Sequence, residues 1–205
     1  MPGQHLVESE LVERLGVSRA LIRGVLATLA HEGLVDKEPH RGARVRTVGE
    51  SEAIEITECR SVLEGLAARH AAVNATAEDR EELSAIQASM ERLLRDEDLI
   101  GYSNANSRLH ARILTASRHA TLQRLVASLR AQTIRFQYRT ILTPGRPRHS
   151  LDEHAAIVGA INSCDPDEAE RAMRRHLSGV ATALADRAHA DAQAPSLRGG
   201  GAVHA

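Results

Sequence analysis

Leu11, Val12 and Leu15 form one apolar stripe at helical spacing, and Ile22, Val25, Leu26 and Leu29 form a second. Between them Gly16 can take the left-handed backbone that ends a helix, and Ser18 is a good N-cap for the next one. The stretch from Leu11 to Leu34 therefore predicts two short helices joined by a turn of about four residues, with Arg19 and Arg23 on the exposed side of the second. A plain helical hairpin would satisfy the same pattern. Beyond Gly33 come the apolar pair Leu34-Val35, a polar turn containing Pro39 and Gly42, and the alternating run Ala43-Arg44-Val45-Arg46-Thr47-Val48. Alternation across a glycine-bearing turn predicts a two-stranded hairpin. Together they describe a winged helix-turn-helix over residues 1–48, with His40, Arg41 and Arg44 at or near the wing tip.

The pattern then changes to long helical periods. Gly49 to Ser51 reads as a linker. Ile54, Cys59, Val62, Leu63, Leu66 and Ala67 predict a helix reaching about Val73. Thr76 caps the next helix, which carries Leu83, Ile86, Met90, Leu93 and Leu94. After the polar break Arg95-Asp96-Glu97-Asp98, helices are expected from about Leu99 to Ser117 and from about Ala120 to Ile141. Pro144, Gly145 and Pro147 predict a loop, and Ser150 with Glu153 a capping box for a helix through Ile161. Pro166 fits the first position of a last helix ending near Ala190. The fold class is thus mainly α: a winged helix-turn-helix followed by an antiparallel bundle of about six helices over residues 51–190, with residues 191–205 as a disordered tail.

Composition refines this picture. The chain has 205 residues, 42% of them hydrophobic, enough for a real core. The aromatics are only Tyr102, Phe136 and Tyr138, so that core must be built from Leu, Ile, Val and Ala. A formal net charge of -1 supplies no global field for a polyanion. Residues 1–48 hold seven Lys/Arg and six Asp/Glu, but the acids gather in the first helix and the arginines in the second helix and wing. For phosphate contact that segregation matters more than the sum. Cys59 and Cys164 have no metal-type spacing and read as buried or half-buried thiols. No signal peptide or membrane-spanning run is evident, which points to the cytoplasm.

The segments PGQHLVESELVERLGVSR, EGLV and RGARV resemble the DNA-binding domain of GntR-type bacterial transcription regulators. CRSVLEGLAARHAA, NSRLHARILTAS, DEHAAIVGAI and DPDEAERAMRRHL resemble the effector-binding (FCD) domain of the FadR branch of that family. The resemblance implies a homodimeric, ligand-responsive regulator, a repressor, binding a palindromic double-stranded DNA operator. It implies DNA contacts at Ser9, at Ser18, Arg19, Ala20 and Arg23, and at His40, Arg41 and Gly42. The chain departs from the family pattern at Ala20-Leu21, where Thr-Pro is usual, and at Gly24-Val25, where Glu-Ala is usual. In the resembled family a further helix precedes Pro2-Gly3, so this winged helix-turn-helix lacks its first helix: the start is misplaced, the chain is truncated or the domain is compromised, and the first reading is favoured.

Asn106 and His110, four apart, share one helix face; His154 and His176 lie on later helices. By spacing alone each histidine reads as an ordinary surface or satisfied polar residue, since the chain has eleven. The resemblance implies that Asn106, His110, His154 and His176 hold a divalent metal, with zinc, nickel and manganese not separable. It also implies a small organic acid effector, for which Arg60 or Arg135 (with Arg139 as a further choice) would be the cation; each also reads as an ion-pair partner. Two alternatives stand beside this: a metal-dependent bundle enzyme with Glu153 as general base, and a metal-free regulator binding an acyl-type effector. No nucleophile elbow, phosphate loop or HExxH supports the enzyme.

Overall fold

The computed structural model describes residues 1–38 and 41–193, and the side chains up to residue 189. Helix α1 (Glu8–Leu15) ends on Gly16, whose left-handed backbone returns its N–H to the Val12 carbonyl. Helix α2 (Arg19–His31) starts at Ser18, whose hydroxyl accepts from the Leu21 N–H. Ile22 and Leu26 of α2 bury against Val35 and Ala43, with Leu11 and Val12 beside them. Leu11, Val12, Ile22, Leu26 and Leu29 therefore pack as their spacing predicts, whereas Leu15 and Val25, expected on the same stripes, are exposed at the edge of this small core.

The wing is a three-stranded antiparallel sheet rather than a two-stranded hairpin. Strands β1 (His5–Leu6), β2 (Val35–Glu38) and β3 (Gly42–Val45) lie in the order β1-β3-β2. Two residues carry no period, so β1 has no signature in the sequence. It is held by pairing: the Gly3 N–H donates to the Val45 carbonyl at 2.8 Å, and Val45 N–H to the Gln4 carbonyl at 2.8 Å. Gly42 is required here because a Cβ would overlap the Leu6 carbonyl oxygen. Arg44 is not at the wing tip. It sits on the sheet, where its Nε donates to Glu38 Oε1 at 2.8 Å and a guanidinium N–H to the Gly3 carbonyl at 3.0 Å.

Among the described residues six helices follow: α3 (Glu50–Asn74), α4 (Ala77–Arg95), α5 (Leu99–Ala116), α6 (Ala120–Ile141), α7 (Arg146–Asn162) and α8 (Pro166–Gln193). Glu50 already belongs to α3, so the linker is shorter than expected. The small side chains of Ala68, Ala71 and Ala72 on α3 and Ala169 and Ala172 on α8 let these two helices lie close together. Leu83, Met90, Tyr102, Leu109, Ile113, Ile157 and Ile161 fill the core around them. Thr76 and Asp79 form a reciprocal capping box, and Asp79 also takes Arg112 and Arg118 from α5 and the turn after it.

Helix α7 begins four residues before the expected capping box. Gly145 enters it in the left-handed conformation and Pro147 sits in its first turn. Ser150 is thereby buried inside the helix rather than at its cap. Both cysteines are exposed, contrary to expectation, because each faces away from the core. Of the expected tail, residues 191–193 continue α8, and residues 194–205 lie outside the described residues. Among the described residues no helix is long and apolar enough to cross a membrane.

Candidate metal centre and nucleic-acid interface

Four helices converge on one buried cluster. His110 comes from α5, His154 from α7 and His176 from α8, and a ligand atom of each lies within 4.8 Å of the others. All three imidazoles are nearly free of solvent contact. His110 Nε2 and His154 Nε2 face one another at 3.3 Å. His110 Nδ1 lies 2.6 Å from Glu64 Oε2 on α3, and His176 Nδ1 lies 2.7 Å from Glu153 Oε2 on α7. An ionised carboxylate can only accept, so each of these Nδ1 atoms carries the proton and each Nε2 keeps its lone pair.

The carboxylates are themselves braced. Glu64 is 1% exposed; its Oε1 accepts from Arg60 Nε at 2.8 Å, and Arg130 of α6 approaches Oε2 at 3.7 Å. Burial alone would raise the Glu64 carboxyl, but Arg60, His110 and Arg130 outweigh it and hold it well below the usual carboxylate range. Glu153 accepts from Arg146 at 2.9 Å and takes His149 at 3.1 Å on its other oxygen. Burial pushes His110 down to about 4 despite the pull of Glu64. Burial and its neighbours His176 and His110 hold His154 well below its ordinary value, and burial lowers His176. Near neutral pH the three rings are therefore neutral, the form that binds cations.

The donor set suits a divalent metal. Two nitrogens bound to one zinc at about 2.0–2.1 Å in tetrahedral geometry lie about 3.3 Å apart, close to the separation found. Without a cation the 3.3 Å contact is satisfied when the His154 proton sits on Nε2, a tautomer open to it because its buried Nδ1 has no hydrogen-bond partner. Asn106 Oδ1 adds a buried acceptor with no hydrogen-bond partner, one turn from His110 and lining the same cavity. Carboxylate–histidine pairs behind the ligand atoms are the usual second layer of such centres.

A cavity of ≈ 60 Å³ opens beside the cluster. His110, His176 and Asn106 line one side, and Arg60, Arg130 and Arg146 contribute cations to it. Arg146 retains buried guanidinium N–H groups without a hydrogen-bond partner, and Arg130 Nη1 makes the long 3.7 Å ion pair with Glu64 but no hydrogen bond. Arg135 does not reach this cavity: its guanidinium donates to the Val48 carbonyl at 2.7 Å. Arg139 is paired with Glu50 at 2.8 Å. Arg130 and Arg146 are the cations that sequence reasoning overlooked. A signal for Arg130 existed, since it follows Val126 by one turn on the bundle-facing stripe of α6, whereas Arg135 lies on the opposite side. Glu153 is not free to act as a general base, because His176, Arg146 and His149 occupy both its oxygens.

The second assembly lies on the winged segment. Ser9, Arg19, Arg23, Arg41 and Gly42, together with Lys37, line an open groove of ≈ 740 Å³ between α1, α2 and the wing. Ser18 and Ala20 are exposed at the start of α2. Arg23 is oriented by Glu8, whose carboxylate accepts from its Nε at 2.9 Å. His40 lies outside the described residues. Lys37 and Glu8 were not singled out from the sequence; both sit on elements whose facing only the fold defines.

With both assemblies placed, comparison with known proteins becomes specific. Residues 1–45 match the gntR family of bacterial regulatory proteins, and residues 55–179 match the FCD domain. The chain is a GntR-family transcription regulator with an FCD domain. A protein of Paenarthrobacter nicotinovorans named "Probable D-xylose utilization operon transcriptional repressor" is 30% identical over 187 residues, covering 89% of this chain and 80% of its own length. The galactonate operon transcriptional repressor of Escherichia coli is 27% identical over 194 residues, covering 84% and 83%. Among solved structures, E. coli McbR/YncC shares the fold with a TM-score of 0.75 at 20% identity, covering 91% of this chain and 89% of that one. The family comprises transcription regulators, not enzymes, which removes the bundle-enzyme reading.

Proposed function

We propose that this regulator is a cytoplasmic, homodimeric repressor whose helical domain (residues 51–190) binds a divalent metal and a small organic acid, and whose winged domain (residues 1–48) binds a palindromic operator. His110, His154 and His176 hold the metal through Nε2, with Asn106 Oδ1 as a fourth donor. The observation that carries this reading is the pair of Glu–His hydrogen bonds, Glu64 to His110 and Glu153 to His176, which leave the ring lone pairs facing inward. When bound, the metal supplies a Lewis-acidic point for a carboxylate oxygen. The chain's own residues do the rest: Arg60, Arg130 and Arg146 offset the remaining anionic charge, with Arg130 and Arg146 in the role first considered for Arg135. Zinc, nickel and manganese all suit the donors, and a set of neutral nitrogens favours the first two.

The size of the cavity bears on the effector class. A cavity of ≈ 60 Å³ is compact, which suits a small acid better than an acyl chain. The names of the two relatives refer to operons for D-xylose utilisation and galactonate, which accords with a small polar effector.

On the winged domain, Arg19 and Arg23 reach base edges and phosphates from α2 while Ser9, Ser18 and Ala20 approach the backbone beside them. Arg41 and Gly42 enter from the wing. The acid shifts operator binding to the extent that it binds the two DNA-binding states unequally. Retardation of DNA from the chain's own upstream region, measured with and without a panel of small acids, tests the proposal. Retardation that no acid alters in metal-loaded protein would remove the ligand-responsive part, and no retardation at all would remove the DNA-binding part.

A further inference from the structure

Helix α6 presents opposite faces to the two assemblies. Arg130, Thr133, Gln137 and Thr140 line the cavity. About half a turn away, Ser128, Gln132 and Arg135 face the winged segment. Gln132 makes the most specific contact there. Its Oε1 accepts from Arg46 at 3.0 Å, just after β3, and its Nε2 donates to the Glu32 carbonyl at 3.1 Å. Glu32 is the C-cap of α2, so this amide satisfies one of the carbonyls that a helix end leaves open. The fit is close: a Cβ at Gly33, which has φ +72°, would lie 3.0 Å from Gln132 Nε2.

We propose that Gln132 is the positioning residue that fixes the DNA-reading segment on the effector-binding bundle, by clamping the end of α2 and the exit of β3 to α6. A primary amide is suited to this because it offers one donor and one acceptor side at once. Ser128 and Arg135 support the contact with single bonds to the Glu32 and Val48 carbonyls, at 3.4 and 2.7 Å. Arg46 is further held by Glu52 of α3. Because the cavity-lining Arg130 and Thr133 flank Gln132 on the same helix, a change in the position of α6 is felt at α2 directly. This inference rests on the DNA-binding reading for its meaning and on geometry for its content.

The test is a distance distribution in the full chain. Spin labels are placed at two exposed positions, Glu13→Cys on α1 and Glu91→Cys on α4, in a background with Cys59→Ser and Cys164→Ser, diluted with unlabelled protein. Loss of two hydrogen bonds shifts the balance of docked and undocked poses by about tenfold or more. The parent should give a single narrow distribution, and Gln132→Ala a clearly broadened one with the same helical content and the same affinity for zinc alone. Gln132→Glu keeps the acceptor for Arg46 and loses the donor to Glu32, so it should fall between them. Equal widths for all three proteins would overturn the proposal. DNA retarded by the parent is measured alongside; if none is found, the DNA-binding reading fails while the widths still decide the clamp.

Discussion

Replacing Glu64 by glutamine keeps the shape of the side chain and removes its charge. In the native site this carboxylate accepts from His110 Nδ1 at 2.6 Å and from Arg60 Nε at 2.8 Å, with Arg130 at 3.7 Å, and is 1% exposed. Two consequences separate. A neutral amide orients His110 less firmly and lowers the basicity of its Nε2, and loss of such a partner costs about 10–100-fold in metal affinity. The change also leaves Arg60 and Arg130, 13% and 17% exposed, without their counter-charge. Breaking a buried pair from one side costs about 3–5 kcal/mol, and the partial exposure of both arginines places this case at or below the lower end. Competition against a chromophoric chelator measures the first effect, and urea unfolding of metal-free protein the second. Zinc affinity within about twofold of the parent would refute the idea that Glu64 serves the ligand.

Three further outcomes follow from the same geometry. The folded pKa of His110, about 4, lies below its ordinary 6.5, so the unfolded chain takes up the proton first. Stability of the metal-free protein is therefore full above about pH 6.5 and falls by up to about 3 kcal/mol as pH drops towards 4; His154 and His176 act in the same direction, and urea midpoints that rise on acidification would contradict this. Gly24 lies in α2 with nothing within 4 Å of where a Cβ would stand, so Gly24→Ala should raise the unfolding free energy by about 0.5–1 kcal/mol and the melting temperature by a few degrees. Gly42→Ala meets both a φ of +93° and the Leu6 carbonyl; it should cost about 2 kcal/mol or more and release the β1 pairing, read as faster amide exchange at Val45.

Much of the architecture was legible because it rests on local rules. Ser18, Gly16 and Thr76 announce helix ends through their own side chains or backbone freedom, and α6 runs from Ala120 to Ile141 as its periodicity predicts. What escaped depends on distant partners. Strand β1 exists only because β3 lies beside it. The start of α7 was misplaced because Gly145 and Pro147 read equally as a loop and as a helix entry. Glu153 looked like part of a helix cap, whereas its partner His176 is 23 residues away in sequence and adjacent in space. The histidine cluster itself was expected through family resemblance, not spacing; three side chains on three helices leave no sequence period. Arg135 and Arg130 share a helix, and the one that meets the cavity is the one that follows Val126 on the bundle-facing stripe of α6.

The metal centre carries the proposed response to an effector. Its most direct test is elemental analysis by inductively coupled plasma mass spectrometry on full-length chain, purified without chelator and equilibrated with zinc, nickel or manganese before gel filtration. About one retained ion per chain is expected, falling to a small fraction in the His110→Ala, His154→Ala double variant. Parent protein that retains no more of any of these metals than the double variant would contradict it.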